Sequence, residues 1–443
     1  MGKYFGTDGF RGKFGKTLTL EHAKKVGQFL GFYYGSKDVA GIVIGMDTRE
    51  SSPFLKTAIT QGANSYGVDV YDLEVITTPG VAYLAKKYGM PGVVLSASHN
   101  PYYDNGIKLF NEKGEKMDQC VLDALEIFMD EREVPTREKE SGRVISFTEG
   151  KEAYINLLVS KASDYTGLNV AIDTSNGAAS SIAPLIFKRL KGNFEFINFT
   201  PDGKNINNDC GSTCMEAISK HVKEGNYNIG FAYDGDADRC LFTDEAGNIL
   251  DGDHLLYLVG KYLHDKGKLK NDTVVATLMS NVGLDKALEK ENIKVARVQV
   301  GDKNVYAYQI QNDCNFGGEQ SGHFIFLDDL STGDGILTSI KILNILVETK
   351  RKVSELVSGI TIFPQILKNV LVNDKENVLN DVEINRVIEE QEAKLKGVGR
   401  VFIRPSGTEP KIRVMAEAST IELAKEIVDT IVNAIESSKY KAE

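Results

Sequence analysis

Three aspartates stand at alternate positions in the segment DGDADR, at Asp234, Asp236 and Asp238. In an extended strand the outer two would lie about 13 Å apart, at about 3.3 Å per residue, so one ion could not contact all three. Gly235 permits a tighter loop, where two carboxylates about 4 Å apart repel by about 4 kcal/mol at an effective dielectric constant of about 20. A hard cation such as Mg²⁺ removes this repulsion and prefers oxygen ligands. The spacing therefore predicts a metal site, with a solvated acidic turn as the alternative.

A second candidate is Ser98 in the segment VVLSASHNP, where a short apolar run ends in hydroxyl, imidazole and amide side chains. A serine after a strand can be the cap of an ordinary loop. It can also be a nucleophile that carries a phosphoryl group. The residues of this segment leave both interpretations open.

Three further motifs contain glycine and offer groups that bind anions or sugars. IRPSGTEPKIR (403–413) combines guanidinium groups, hydroxyls and bare backbone N–H groups, which suit a phosphate. GTDGFRG (6–12) permits close backbone approach to a ligand, and GGEQSGH (317–323) offers a carboxylate and a hydroxyl for sugar hydroxyls. Each also fits a plain turn or, for GTDGFRG, a flexible amino terminus. The candidate residues are Thr7, Asp8, Arg11, Glu319, Ser321, His323, Arg404, Ser406, Gly407, Thr408 and Arg413.

The composition narrows the class of protein. The chain has 443 residues, 42% hydrophobic and 26% charged, which is typical of soluble globular proteins. Its net charge of −10 disfavours nucleic acid and acidic membranes as partners. The five cysteines lack paired zinc spacing, which predicts reduced thiols in a cytoplasm. No run approaches the roughly 18 apolar residues of a membrane span.

Short β-rich runs alternate with helical stretches along most of the chain, which predicts βα units with parallel or mostly parallel sheets. Ligands in such folds collect beyond the carboxyl ends of strands, where both DGDADR and SASHNP lie. We predict three similar mixed-sheet α/β domains at 1–150, 151–252 and 253–366. The strand, loop, strand and helix of 367–443 predict a smaller α+β domain.

Four of these motifs, SASHNP, DGDADR, GGEQSGH and RPSGTEP, occur in this order over nearly the whole chain. Together they resemble the α-D-phosphohexomutase superfamily, and four ordered motifs are far more specific than one. The resemblance implies four domains around a central cleft. It also implies an isomerase that moves phosphate between positions 6 and 1 of a sugar through a hexose 1,6-bisphosphate.

The resemblance assigns a role to each matching residue. Ser98 would be carried as phosphoserine, and one Mg²⁺ per active site would be held by the three aspartates and a phosphate oxygen on Ser98. Lys108 in NGIKLF would be the general base, its pKa lowered by nearby Mg²⁺ and cations. The implied catalytic residues are Ser98, His99, Lys108, Arg11, Arg239 and His323. The implied substrate-binding residues are Thr7, Glu319 and Ser321 near the sugar, and Arg404, Ser406, Gly407, Thr408 and Arg413 at the phosphate that is not reacting.

Within the superfamily, GTDGFRG, NINNDCGST (205–213), MSNVGL (279–284) and Gln320 are similar to members that act on glucosamine phosphates and supply UDP-N-acetylglucosamine for cell-wall precursors. Lys303 and Pro405 depart from that pattern. The alternatives are a phosphomannomutase or phosphoglucomutase of the same superfamily, a sugar-phosphate-binding regulator without turnover, and a phosphatase built around the acidic loop. The expected partner is a small phosphosugar, and neither nucleic acid nor a membrane is expected to bind. The expected location of the protein is the cytoplasm. The residues leave association into a homodimer open.

Overall fold

The computed structural model describes residues 2–6, 8–37, 39–131, 140–395, 397–406 and 410–442 of the chain. The chain divides into two compact units. The larger unit comprises Met1–Met279 and Ile293–Ser358, and the smaller unit comprises Ser280–Asn292 and Gly359–Glu443.

The first sheet of the larger unit has the strand order β1-β5-β4-β2-β3-β6. Its strands are β1 (Phe10–Lys13), β2 (Ile42–Met46), β3 (Val70–Val75), β4 (Gly92–Leu95), β5 (Asp104–Phe110) and β6 (Val144–Ser146). The helices along this stretch are α1 (Leu20–Tyr34), α2 (Ser52–Asn64), α3 (Thr78–Tyr88) and α4 (Gln119–Asp130). Strand β4 is apolar and buried along its length, as a central strand covered on both faces should be. It is parallel to β2 and antiparallel to β5, so the sheet is mixed.

The second sheet has the order β11-β10-β9-β7-β8. Its strands are β7 (Asn169–Asp173), β8 (Asn193–Ile197), β9 (Ile229–Tyr233), β10 (Cys240–Thr243) and β11 (Ile249–Leu250), and the helices are α5 (Thr148–Ser160), α6 (Ala179–Phe187) and α7 (Glu216–Glu224). Strands β9 and β10 are antiparallel neighbours. The DGDADR segment is the turn between them.

The third sheet has the order β13-β12-β14-β15. Its strands are β12 (Thr273–Thr277), β13 (Lys294–Val298), β14 (Phe316–Gly318) and β15 (Phe324–Phe326). The helices are α8 (Gly252–Asp265), α9 (Val282–Lys290), α10 (Asp302–Gln311), α11 (Gly335–Thr349) and α12 (Val353–Leu356), of which α9 belongs to the smaller unit. The GGEQSGH segment spans the β14–β15 turn.

The fourth sheet lies in the smaller unit and has the antiparallel order β16-β18-β17. Its strands are β16 (Gln365–Leu371), β17 (Arg400–Pro405) and β18 (Lys411–Glu417), and the helices are α13 (Lys375–Leu379), α14 (Val382–Lys394) and α15 (Ile421–Glu436). Apolar residues of α15, among them Ile427 and Ile431, share a buried core with Ile412 and Val414 of β18.

The predicted fold class is confirmed: three mixed-sheet α/β assemblies precede a smaller α+β assembly. The predicted domain limits stay predictions. The limit between 150 and 151 lies within α5, and the limit between 366 and 367 lies within β16. The described residues contain no helix that combines the length and the hydrophobicity needed to span a bilayer.

A buried ion pair ties two stretches of the smaller unit together. Glu417 at the end of β18 is fully buried, and its two oxygens accept hydrogen bonds from Arg400 at 2.9 Å each. Glu417 also accepts from the Val282 backbone N–H at 2.8 Å, and Arg400 donates to the Ser280 carbonyl at 2.6 Å. Segment 280–292 is therefore held to the fourth sheet by one carboxylate and its guanidinium partner.

We expect Arg400→Met to destabilise the smaller unit by about 3 kcal/mol, because it leaves a buried carboxylate without its counter-charge. Urea unfolding of the full chain, followed by circular dichroism, measures the change. The control is Arg386→Met, which removes an exposed ion pair with Glu383 and should cost less than about 1 kcal/mol. Equal losses in the two variants would contradict the assignment.

Candidate active site

The three aspartates of DGDADR converge in the β9–β10 turn. One carboxylate oxygen from each of Asp234, Asp236 and Asp238 lies within 4.8 Å of the others, and all three residues are buried. Burial excludes the solvated turn. The residue in the left-handed backbone region is Ala237, with φ of 55°, rather than Gly235. Gly235 is required for another reason, since a Cβ there would meet the Ser98 carbonyl oxygen at 2.5 Å.

Two cations partly offset the crowded negative charge. Lys108 on β5 places Nζ 2.6 Å from Asp236 Oδ2 and 3.3 Å from Asp238 Oδ2, and Arg239 Nε is 3.9 Å from Asp238 Oδ1. Burial and the neighbouring carboxylates nevertheless raise the pKa of Asp234 to about 8. The Oδ1 atoms of Asp236 and Asp238 are buried without a hydrogen bond to any described residue. An all-oxygen donor set with unsatisfied buried oxygens fits a hard divalent cation.

The backbone of the acidic turn is held by the starts of three helices. The Ala178 N–H, at the cap of α6, donates to the Gly235 carbonyl at 2.8 Å. The N–H of Thr78, first residue of α3, donates to the Asp236 carbonyl at 3.0 Å, and that of Gly335, first residue of α11, donates to the Ala237 carbonyl at 2.9 Å. The positive ends of three helix dipoles thus face the cluster. The Thr78 hydroxyl adds a hydrogen bond to Asp236 Oδ2.

Ser98 lies beside this cluster. It follows β4 in a left-handed conformation with φ of 53°, which is uncommon for serine. Its hydroxyl donates to Asp234 Oδ2 at 2.6 Å, and its backbone N–H donates to the Ser96 hydroxyl at 2.9 Å. The structure thereby brings together the predicted nucleophile and the predicted metal ligands, which are 136 residues apart in sequence.

His99 lies beside the serine, and Arg11 supplies positive charge near His99. His99 Nδ1 is 3.2 Å from the Ser98 hydroxyl. Burial, together with the guanidinium groups of Arg239 and Arg11, lowers the pKa of His99 to about 4, so its ring is neutral at pH 7. Arg11 on β1 forms an ion pair with Asp8 at 3.2 Å.

Lys108 lies between two carboxylates of the acidic turn. Burial by itself lowers the pKa of Lys108, but the carboxylates of Asp236 and Asp238 outweigh burial and raise the pKa above its ordinary value. The expected lowering of this pKa by Mg²⁺ and neighbouring cations stays a prediction. Lys108 is an ammonium that bridges two carboxylates, because the acidic turn packs directly against β5.

The β14–β15 turn brings the sugar-loop candidates toward the same region. His323 is buried, with Nδ1 3.8 Å from Asp238 Oδ2 and Nε2 3.7 Å from Asp302 Oδ2. Glu319 accepts from the Gly301 N–H at 3.0 Å, and burial raises its pKa. Ser321 is exposed at the tip of the turn.

Sequence reasoning missed a charged bridge beside the acidic turn. Lys116 Nζ lies 2.8 Å from Asp8 Oδ1 and 2.6 Å from Asp302 Oδ1, which connects the GTDGFRG segment to the start of α10. A cavity of about 90 Å³ is lined by these three residues together with Lys108, Asp238 and Lys303. No local pattern marks Lys116, since an isolated lysine after a strand is usually a surface residue.

The phosphate-loop candidates lie in the smaller unit. Arg404 on β17 stands directly opposite Arg413 on β18. Burial and the charge of Arg413 lower the pKa of Arg404, and Arg413 Nε is buried without a hydrogen bond to any described residue. Ser406 is buried, and its carbonyl accepts from Lys375 at 2.8 Å. Gly407 and Thr408, like Thr7, lie outside the described residues.

Beneath the acidic turn, a buried hydrogen-bonded chain joins elements of the larger unit. The Thr77 hydroxyl at the cap of α3 donates to the Tyr154 hydroxyl on α5 at 3.0 Å. Tyr154 donates to Asp334 Oδ2 at 2.8 Å, and Asp334 caps α11 by accepting from the Leu337 N–H at 2.9 Å. Burial raises the pKa of Asp334 to about 6, although these two donors lower it in part.

The comparisons with known proteins agree with this geometry. Profiles of the phosphoglucomutase/phosphomannomutase family match alpha/beta/alpha domain I at residues 2–134, domain II at 152–247, domain III at 251–363 and the C-terminal domain at 367–434. The chain therefore belongs to the phosphoglucomutase/phosphomannomutase family of phosphosugar mutases, which are isomerases.

Its curated relatives include two phosphoglucosamine mutases of similar length. The Lachnoclostridium phytofermentans protein is 45% identical over 98% of each chain, and the Bacillus subtilis protein is 46% identical over 99% of each chain. Among solved structures, a phosphoglucomutase/phosphomannomutase family protein from Burkholderia thailandensis has a TM-score of 0.80 at 23% identity, covering 99% of this chain and 98% of that one. The N-acetylphosphoglucosamine mutase of Aspergillus fumigatus has a TM-score of 0.69 at 18% identity, with coverage of 98% and 95%. The structural matches establish the shared fold.

The buried hydrogen-bonded chain that ends at Asp334 predicts that the stability of the protein depends on pH. The pKa of Asp334 is higher in the folded state than in the unfolded state, so protonation of Asp334 adds to the free energy of unfolding. This contribution is complete below the unfolded-state pKa and is lost as the pH rises through about 6. Between pH 5 and 8 we expect the wild type to lose about 1.5 kcal/mol relative to Asp334→Asn, which cannot ionise. Urea unfolding of both proteins across this range measures the difference. A difference independent of pH would contradict the assignment.

Proposed function

We propose that the protein interconverts D-glucosamine 6-phosphate and D-glucosamine 1-phosphate, with Ser98 as the phosphoryl carrier. The observation that carries the proposal is the Ser98 hydroxyl, 2.6 Å from Asp234 within the buried carboxylate cluster. Identities of 44–47% to phosphoglucosamine mutases over nearly the whole chain support the choice of sugar. The product would feed UDP-N-acetylglucosamine synthesis.

The reaction proceeds in two half-reactions. In the first, the bond from phosphorus to Ser98 Oγ breaks as a bond from phosphorus to the free sugar hydroxyl forms, which yields a 1,6-bisphosphate. In the second, the other phosphoryl group of the bisphosphate returns to Ser98. Each transfer moves one proton from the attacking hydroxyl and supplies one to the departing oxygen.

Lys108 is proposed as the general base that accepts the proton of the attacking hydroxyl, and the ammonium so formed would give that proton to the departing oxygen. Its carboxylate neighbours by themselves raise the pKa of Lys108. A divalent cation shared by those carboxylates would lower this pKa again, toward the range that a base needs. The neutral His99, beside the Ser98 hydroxyl, is proposed to orient the transferring group together with Arg11 and Arg239, and His323 is proposed to support Asp238.

Mg²⁺ is the proposed cofactor, held by Asp234, Asp236 and Asp238 together with an oxygen of phosphoserine 98. When bound, it would neutralise charge on the transferring phosphoryl group. The unsatisfied Oδ1 atoms of Asp236 and Asp238 support this assignment.

Arg404 and Arg413 are proposed to bind a phosphate of the sugar, with Ser406, Gly407 and Thr408. Two arginines at directly opposite positions of neighbouring strands, one with a buried Nε that makes no hydrogen bond to a described residue, suit an anion. Thr7, Glu319 and Ser321 are proposed to contact the sugar. A cytoplasmic location and a homodimer complete the proposal, and light scattering of the purified protein would measure the oligomeric state.

Ser98→Ala should fold like the wild type but lose mutase activity by about ten-thousandfold or more, because it removes the phosphoryl carrier. A coupled assay measures turnover, and peptide mapping of the wild type should place phosphate on Ser98. The control is Ser96→Ala, which removes only the acceptor of one hydrogen bond and should reduce activity by less than about tenfold. Full activity in Ser98→Ala would overturn the proposal.

Chelation of divalent cations should abolish turnover, and Mg²⁺ should restore it, because Lys108 and Arg239 carry too little positive charge to balance three carboxylates and a phosphate. Asp236→Asn should weaken Mg²⁺ binding by at least about tenfold, measured by titration calorimetry. Asp209→Asn, the same change at an exposed aspartate, should leave Mg²⁺ binding unaltered. Undiminished turnover after verified metal removal would contradict the cofactor assignment.

Selectivity must arise at position 2 of the sugar, since all the candidate substrates share the phosphate. Glucosamine carries an ammonium there, which the Glu319 carboxylate would favour. One charge-assisted contact contributes about 1.5–3 kcal/mol, so we expect kcat/KM for glucosamine 6-phosphate at least about tenfold above the values for glucose and mannose 6-phosphates. A coupled assay with the three sugars compares them. A preference for glucose or mannose would make the protein a phosphoglucomutase or phosphomannomutase instead.

A further inference from the structure

The position of the Ser98 hydroxyl depends on a backbone conformation that serine seldom adopts. Ser98 has φ of 53°, and the left-handed region is unfavourable for residues with a Cβ. A rotation of the Ser98 peptide would swing its hydroxyl away from Asp234. Groups that bind the carbonyl oxygens of this loop therefore decide where the hydroxyl lies.

Arg49, in the polar segment after β2, is the first such group. Its side chain is fully buried and pairs with Asp47, Nε to Oδ2 at 2.8 Å. Its Nη2 donates to the carbonyls of Ser98 at 2.9 Å and Asn100 at 2.8 Å. Its Nη1 donates to the carbonyls of Pro101 at 2.5 Å and Asp104 at 3.1 Å. One planar guanidinium thus binds four carbonyls between Ser98 and β5.

Asn207 approaches the same loop from the segment between β8 and α7. Its Nδ2 donates to the Ser98 carbonyl at 2.9 Å and the Asn100 carbonyl at 3.2 Å, the two oxygens that Arg49 Nη2 also binds. The amide orientation follows from the chemistry, because the opposite orientation would face the amide oxygen toward two carbonyl oxygens that cannot donate. Asn207 itself is held in place by its backbone N–H, which donates to the Ser175 carbonyl at 2.9 Å.

Two carbonyl oxygens therefore each accept two donors, one from beside the first sheet and one from beside the second. With both lone pairs engaged, the peptide planes after Ser98 and Asn100 have little freedom to turn. Asn207 also lies next to the acidic turn, since a Cβ on Gly235 would meet its Nδ2 at 2.9 Å. The same amide thus contacts both the serine loop and the acidic turn.

We propose that Arg49 and Asn207 form a carbonyl clamp, a pair of positioning residues that hold the Ser98 hydroxyl in register with the acidic turn during phosphoryl transfer. This inference rests on the proposed role of Ser98. Neither side chain is assigned a contact with the sugar, so the clamp acts on the rate of transfer and leaves sugar binding unchanged.

The main test compares Asn207→Gly with Asn208→Gly. Asn207 has φ of 57°, which glycine adopts without strain, so the substitution removes the amide and keeps the backbone conformation. Asn208 is its exposed neighbour and receives the same change. We expect Asn207→Gly to reduce kcat by about 10- to 100-fold, as a misplacement of about 1 Å does, with KM within about twofold of wild type. Asn208→Gly should retain wild-type values.

A second readout follows the phosphoryl group directly. Intact-mass measurements during a single turnover of phosphorylated protein with glucosamine 6-phosphate should show that Asn207→Gly loses its phosphate to the sugar more slowly than Asn208→Gly, by the same factor as kcat. Arg49→Lys keeps the charge but not the planar fork, and it should show the same loss of kcat at unchanged KM. Rates are normalised to the folded fraction, measured by circular dichroism at the assay temperature.

The outcomes separate this inference from the proposed function. If Ser98→Ala stays active, the function assigned to Ser98 fails whatever the clamp variants do. If Ser98→Ala is inactive and folded Asn207→Gly transfers phosphate as fast as Asn208→Gly, the clamp alone is overturned. A raised KM at unchanged kcat would also overturn it, because that result would place Asn207 at the sugar.

Discussion

The burial of three carboxylates within one short turn is the constraint on which the rest of the larger unit depends. Charges this close repel strongly in a medium of low dielectric constant, and a buried charge without a partner is costly. The fold meets the constraint with Lys108 and Arg239 as counter-charges. The starts of α3, α6 and α11 also donate to the carbonyls of Gly235, Asp236 and Ala237. The starts of three helices thus supply backbone donors to the acidic turn.

The same constraint explains why the residues of the turn have such different protonation behaviour. Burial and the neighbouring carboxylates raise the pKa of Asp234, whereas Lys108, His323 and Arg239 hold the pKa of Asp238 well below its usual range despite burial. Ser98 donates to the carboxylate with the raised pKa. A phosphoryl group on Ser98 would add further negative charge at this point, which Lys108 and Arg239 would offset only in part.

Local backbone strain accompanies the electrostatic crowding. Ser98 and Ala237 are both in the left-handed region, and such residues persist only where the surroundings over-determine their conformation. The surroundings here come from different parts of the chain: the helix starts hold the turn of Ala237, and Arg49 and Asn207 bind the carbonyls beside Ser98. The two strained residues and the groups that hold their conformations therefore lie close to the serine hydroxyl.

The sequence by itself determined the α/β class, the strands before each polar segment and the aspartates as a candidate metal site. These follow from short-range patterns, since hydrophobic periodicity and residue type act over a few neighbours. The motif DGDADR indicated a metal site because alternate aspartates crowd one another wherever the chain curls. Ser98 is identified as a candidate phosphoryl carrier only in combination with the other motifs, since its own segment also fits an ordinary capped loop.

The tertiary structure decided what depends on contacts between distant residues. Lys108 is an ammonium because the acidic turn packs against β5, 128 residues away in sequence. Arg49 lies in a polar segment that follows a strand, as the sequence pattern predicts. Its four carbonyl partners can be identified only from the structure, in which β2 and β5 belong to one sheet. Lys116 carries no local signal, and Asn207 stands in the NINNDCGST motif without any local sign of its carbonyl partners. The reason is that pKa values, ion pairs and strained loops are set by the electric field and the packing of all neighbours in space. A single sequence shows directly only which residues are neighbours along the chain.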